Sequence, residues 1–135
     1  MVGAFKTPSL VYMNVSTLQT LEERQFYSGF AEIMKHGLIK DEAFYLWLLQ
    51  NMYEICERNP DTLKEMVHKS CQIKKQVVEK DPEEKGERAL LNFGHTIGHA
   101  IEKAKHFSLY HGECVALGAV AAAYISYQRG MLAME

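Results

Sequence analysis

The sequence predicts a mainly helical chain that carries one strand. Three observations lead there. From Thr20 onward, apolar residues recur at helical spacing between recognisable caps. One short run, Ser9-Leu-Val-Tyr-Met-Asn-Val15, is apolar and β-branched and is set off by Pro8. No Gly-x-Gly-x-x-Gly turn and no alternation of strand and helix marks a dinucleotide-binding sheet.

Each element has its own signal. One strand cannot form a sheet, so residues 9–15 are expected to pair with sequence outside this chain. Thr20-x-x-Glu23 is a capping-box pattern for a helix from Leu21 to about His36, with Gly37 as its stop. Asp41 can cap a second helix reaching about Arg58. Asn59-Pro60 pairs an N-cap with proline at the first helical position and opens a third helix to about Lys80. Asp81-Pro-Glu-Glu-Lys-Gly86 is a charged turn. A fourth helix covers Arg88 to Glu102, and a fifth runs from about His111 to Arg129, closed by Gly130.

Composition narrows the function. The chain has 135 residues, one domain's worth, with 47% hydrophobic and 24% charged residues, ordinary for a soluble globular protein. A net charge of −2 leaves no basic footprint for nucleic acid. Cys56, Cys71 and Cys114 show no C-x-x-C spacing, which favours a reducing compartment over a disulfide framework or a cysteine zinc site. The first residues lack a secretory pattern, and the longest apolar run, Cys114 to Tyr127, is too short to cross a bilayer. A cytoplasmic protein with no membrane partner is expected.

The chemistry concentrates between Arg88 and Glu102. Wound as one helix, Arg88, Asn92, His95, His99 and Glu102 fall within roughly 80° of one another. Leu90, Phe93, Ile97 and Ile101 fill the other side. Gly94 and Gly98 each cost a helix interior about 1 kcal/mol, so something is expected to approach the backbone there. His95 and His99, four residues apart, can share a metal, but Thr96 stands where a zinc protease has its glutamate. On spacing alone, structural histidines outweigh a metal site. His111, opening the next helix, fits a third ligand, an anion site or a surface cap equally. Glu32 and Lys35 point away from the apolar face of Phe26, Phe30, Ile33 and Met34, which favours a solvated pair. Solvent is also the default for Lys74, beside Lys75, and for Glu84 in the charged turn. His36, His68 and His106 show no constellation.

Five segments together resemble the 3-dehydroquinate synthases. They are Gly3-Ala-Phe-x-x-Pro-Ser9, Gly29-Phe-Ala-Glu32-Ile-Met-Lys35-His-Gly37, Cys71-x-x-Lys74-x-x-Val-Val-x-x-Asp81, Gly86-x-Arg88-x-Leu-Leu-Asn92-Phe-Gly-His95-Thr-x-Gly-His99-Ala-Ile-Glu102, and His111-Gly-Glu-x-Val-Ala. They occur in the family's order and spread over most of the chain. The resemblance implies one divalent ion, zinc or cobalt, on Glu32, His95 and His111, with a position left open for substrate. It implies that Lys74 and Arg88 hold a substrate carboxylate, a task suited to a planar guanidinium. Asn92 and His99 would face a phosphate, and Lys35 and Glu84 would contact hydroxyls, so that His99, Lys35 and Glu84 serve catalysis. The implied substrate is a phosphosugar acid, 3-deoxy-arabino-heptulosonate 7-phosphate, converted to 3-dehydroquinate and phosphate. NAD removes and returns a hydride, and oxidation acidifies the neighbouring C–H so that phosphate leaves by β-elimination.

The family also carries an NAD-binding α/β domain whose Gly-rich turns do not occur in this sequence, and further helices beyond the segment matching residue 135. Residues 1–20 are therefore expected to be a remnant of the α/β domain, and residues 21–135 the helical metal- and substrate-binding domain. NAD has no site here on this reading, and the isolated chain is expected not to turn over. Surface left bare by the other domain favours a homodimer. Cys114 stands in place of the family's alanine, a small change in a packed helix. Sister cyclases that make an inosose or a valiolone share the Gly-His-Thr-x-Gly-His block, but their substrates carry no carboxylate for Lys74 and Arg88. Iron-type alcohol dehydrogenases use Asp where Glu32 stands. A non-catalytic helical interaction module would bind neither metal nor phosphate.

Overall fold

The computed structural model describes residues 8–133. Six α-helices and two 3-10 helices make up the described residues. The mainly helical expectation therefore holds. The strand does not: residues 9–15 form none among the described residues. A strand needs a hydrogen-bonded neighbour, and the described residues supply none. Leu10 and Tyr12 are 82% and 83% exposed, and the Asn14 carboxamide accepts from Ser16 N at 3.1 Å to open a 3-10 helix, Val15–Thr20. Most of the segment Gly3–Ser9 lies outside the described residues.

Helix α1, Glu23–Lys40, begins later and ends later than the sequence suggests. Its cap is Glu22, whose carboxylate accepts from Arg24 N and Gln25 N at 3.2 Å each. Thr20 instead bonds back to the Thr17 carbonyl. Gly37 lies inside α1 rather than ending it. A Cβ there would stand 2.9 Å from the Tyr45 Cβ, so this glycine serves the close approach of the next helix. Asp41 caps α2, Glu42–Gln50, as expected, accepting from Phe44 N at 2.8 Å. The single helix expected up to Arg58 breaks at Asn51, whose side chain bonds back to the Trp47 carbonyl at 2.8 Å. A short α3, Met52–Cys56, follows. Arg58 then takes a positive φ of 56° and delivers the chain to Asn59. The Asn59 side chain caps α4, Pro60–Lys80, through Asp61 N and Thr62 N at 3.1 Å.

Phe26, Phe44, Leu48, Ile55, Leu63, Met66 and Ile73 form one buried cluster that locks α1 to α4 together. A second seam joins α1 to a hairpin of α5, His95–Ala104, and α6, His111–Gln128. Here the backbones nearly touch. A Cβ on Gly118 would meet the Gly94 carbonyl at 2.0 Å, and one on Gly98 would meet the Cys114 carbonyl at 3.0 Å. What approaches Gly94 and Gly98 is thus α6. Gly112 does the same for α1: a Cβ there would lie 1.8 Å from the Ser28 carbonyl.

The expected single helix from Arg88 to Glu102 is two elements. A 3-10 helix covers Glu87–Asn92, then Gly94 turns at φ 79° into α5. The left-handed turn and the contact with α6 exclude a straight run, so the wheel argument holds only for His95, His99 and Glu102. The turn before it is organised by Asp81, whose carboxylate accepts from Lys85 N, Gly86 N and Arg88 N at 2.8–3.0 Å. Those bonds, from Arg88 first and then Lys85, hold the Asp81 carboxyl below its usual range. Helix α6 ends as expected, with Gly130 at φ 66°. No described helix is long and apolar enough to cross a membrane.

Candidate metal centre and adjoining polar cavity

Three elements aim donor atoms at one point. Helix α1 supplies Glu32 from its middle, α5 supplies His95 from its first turn, and α6 supplies His111 from its first residue. His95 Nε2 and His111 Nε2 each lie 3.5 Å from Glu32 Oε1. That oxygen is buried and has no hydrogen-bond partner. Such an orphan costs the fold about 1–3 kcal/mol or more, and 3.5 Å is too long for a good bond. The separation suits a shared ion instead: donors at about 2.0–2.2 Å from a tetrahedral zinc stand about 3.3–3.5 Å apart.

The far side of each ring is already tied. His95 Nδ1 faces the Phe93 carbonyl at 3.3 Å, and His111 Nδ1 meets Glu102 Oε1 at 2.7 Å. With the proton on Nδ1, each Nε2 offers its lone pair inward. Burial pushes the His95 pKa down against the pull of the Phe93 carbonyl, and nearby Lys35 adds to the push, keeping the ring in the neutral form a metal requires. His99 is close by. One ring nitrogen from each of His95, His99 and His111 can be chosen so that all lie within 4.8 Å of one another; His99 and His111 are both exposed.

Lys35 departs from its sequence reading. The pair with Glu32 forms, Nζ to Oε2 at 2.5 Å, but Lys35 is only 4% exposed. The side of α1 that a lone helix would turn to water is covered by the α5–α6 hairpin and the second 3-10 helix. Burial pushes the Glu32 carboxyl up, yet Lys35, with His95 and His111, outweighs it and holds the group below its usual range.

Beside Glu32 and His95 opens a cavity of about 250 Å³ that Lys35, Lys74, Glu84, Arg88 and Asn92 also line. Every residue to which the family resemblance gave a metal or substrate role thus borders the cavity or the histidine cluster. Three cations face two carboxylates, which suits an anionic ligand. Glu84 is exposed, as its turn suggested, but not idle: Oε1 accepts from Asn92 Nδ2 at 2.8 Å, and its backbone sits at φ 57°. Arg88 Nη1 donates to the Pro82 carbonyl at 2.8 Å, leaving part of the guanidinium free. A larger cavity, about 750 Å³, lies between α1 and α6, lined by Phe30, Met34, Val120 and Met131. It is almost wholly apolar; chemistry, not size, selects the smaller one.

Comparison with known proteins gives the family. The family model described as 3-dehydroquinate synthase C-terminal matches residues 29–135. The chain belongs to the 3-dehydroquinate synthase family. A 3-dehydroquinate synthase of Acetivibrio thermocellus is 52% identical over 121 residues, covering 90% of this chain and 34% of that protein. One of Symbiobacterium thermophilum is 49% identical over 131 residues, covering 97% of this chain and 37% of that protein. The chain therefore spans about a third of the length of these curated relatives. A solved structure of 2-epi-5-epi-valiolone synthase from Streptomyces hygroscopicus, with NAD+ and Zn2+ bound, superposes with a TM-score of 0.80 at 26% identity. The match covers 89% of this chain and 34% of that one.

Sequence reasoning missed three supports of this synthase-family site. His36, given no role, is buried against the cavity with Nδ1 at 2.8 Å from Ser70 Oγ, and burial, then the charge of Lys35, pushes its pKa down to about 4. Its only signal is its place inside the Gly29–Gly37 match. Arg24 clasps Glu113 through Nε at 2.6 Å and Nη2 at 2.8 Å, while Glu113 also accepts from Tyr110 N at 2.7 Å. This seats the start of α6, and so His111, on α1; no local pattern links residues so far apart. Glu102 was visible on the polar stripe but had no partner until α6 supplied one.

Proposed function

We propose that residues 21–135 form the metal- and substrate-binding part of a 3-dehydroquinate synthase, acting on 3-deoxy-arabino-heptulosonate 7-phosphate. The observation that carries this reading is the unpartnered, buried Glu32 Oε1 poised 3.5 Å from two imidazole nitrogens. Glu32, His95 and His111 would hold zinc or a similar divalent ion such as cobalt. When bound, the ion would supply Lewis acidity to substrate hydroxyls and NAD the hydride acceptor.

The chain's own residues set the substrate in place. Lys74 and the free edge of Arg88 pair with the carboxylate, Asn92 and His99 meet the phosphate, and Lys35 and Glu84 bind hydroxyls near the ion. Glu84 holds the Asn92 carboxamide at 2.8 Å, so one turn residue positions a hydroxyl contact and a phosphate contact together. Turnover, with NAD, is assigned to a polypeptide of the relatives' length, working in the cytoplasm as a homodimer. Isolated, the chain binds the ion but does not turn over.

Zinc titration of the isolated chain tests the centre. One ion per chain is expected, lost in Glu32→Ala and His95→Ala; uptake that ignores both substitutions overturns the reading. The likeness to a valiolone synthase supports a second reading, a sister cyclase whose substrate has no carboxylate. Assay of the longer parent protein with both substrate types separates them. Lys74→Ala should raise the KM for the acid substrate at least tenfold, the loss of one charge-assisted contact.

A further inference from the structure

His111 is the exposed member of the ligand set. Its side chain is 49% exposed, against 16% for His95. His95 is held by packing and by the Phe93 carbonyl. His111, at the first residue of α6, is more open, with the His95 and His99 rings standing 5.1 and 5.7 Å away between centroids. Among the described residues its ring makes one hydrogen bond, between Nδ1 and Glu102 Oε1 at 2.7 Å. Glu102 stands seven residues beyond His95 on the same face of α5 and is itself only 15% exposed. Among the described residues, its carboxylate makes no other hydrogen bond.

We propose that Glu102 is a positioning residue that fixes the tautomer and the orientation of His111. The inference rests on the metal-centre reading for its purpose, but not for its test. In water a neutral histidine ring favours the proton on Nε2, the form that cannot bind an ion through that atom. A carboxylate on Nδ1 reverses the preference, because only an Nδ1–H can donate to it. The lone pair then sits on Nε2, the nitrogen facing Glu32 Oε1. The same contact stops the exposed ring from turning into solvent, and it makes the ring a stronger donor. Glu102 thus does for His111 what the backbone does for His95.

The tautomer is read directly in the metal-free chain. Long-range proton–nitrogen correlation spectra of the 15N-labelled protein should show His111 protonated on Nδ1. Glu102→Ala should move the proton to Nε2. Zinc affinity, measured by competition with a chelator, should fall about 10–100-fold in Glu102→Ala. Wild-type His111 protonated on Nε2 overturns the proposal, as does a Glu102→Ala chain with unchanged tautomer and affinity. Should Glu102→Ala fail to fold, a folded Glu102→Leu, which offers no acceptor, with the proton still on Nδ1 overturns it equally. If the tautomer responds as stated but the wild-type chain takes up no zinc, the metal reading falls and the positioning role stands. If zinc binds through Glu32 yet Glu102 has no influence, the reverse holds.

Discussion

Lys35 and Glu32 form a pair that neither partner can leave without cost. The ammonium is 4% exposed and bonded to the carboxylate at 2.5 Å, so Glu32→Ala strands a buried charge. A loss of about 3 kcal/mol in urea denaturation is expected for the metal-free chain, with most of it recovered in the double variant Glu32→Leu/Lys35→Met. His36 imposes a pH limit. Burial and the neighbouring Lys35 and Lys74 oppose its protonation, with Glu32 working the other way, and its pKa falls from 6.5 to about 4. The folded state therefore binds the proton less readily than the unfolded chain. Its contribution is complete above pH about 6.5 and drains away as the pH drops toward about 4, a change on the order of 3 kcal/mol. Denaturation curves across that range should show the acid limb, and His36→Phe should flatten it. Neither residue could be read correctly from the sequence alone. The periodicity of α1 marks one apolar face toward α2 and α4, and it is silent about a second cover arriving some sixty residues later. Identifying Glu32 and Lys35 took the family resemblance; the spacing of His95 and His99 offered a metal site only as the weaker of two readings, and the resemblance was needed to raise it.

At the scale of elements, the crossing of α5 and α6 decides the geometry of the centre. Gly118 leaves room for the Gly94 carbonyl, and Gly94 makes the left-handed turn that starts α5 at His95. Gly118→Ala would force a methyl to 2.0 Å from that carbonyl, so the helices must part. A loss of about 3 kcal/mol or more is expected by thermal melting. Zinc affinity should fall in parallel, because His95 belongs to α5 and His111 to α6. Ala122→Gly, farther along α6, should cost about 1 kcal/mol and leave zinc affinity alone. Helices with strong local punctuation were legible: α4 begins at its Asn-Pro cap, α2 at Asp41 and α6 ends before Gly130. The two glycine misreadings share one cause. Gly37 reads as a stop and Gly94 as a helical residue because the sequence reveals that a glycine is needed, not which neighbour needs it. The lost strand is the same lesson for backbone bonds, since β-branched residues cannot pair with nothing.

Across the whole molecule, the apolar cluster of α1–α4 and the α5–α6 hairpin meet mainly at α1. On α6, Leu117, Val120 and Tyr124 stay bare at 51%, 70% and 60% exposure along one stripe. That stripe predicts self-association: sedimentation should show dimers or larger species at micromolar concentration, shifted toward monomer by Val120→Glu/Tyr124→Lys. The donor set has a wider implication. Two of its members belong to the hairpin and one to the body, so a cation between them is also a rivet. Occupancy at a thousand times Kd would add about 4 kcal/mol to the hold of the hairpin on α1. On the metal-centre reading, a chain deprived of its ion would open at the hairpin and fall to proteases sooner, so metal supply would be written into the lifetime of the polypeptide.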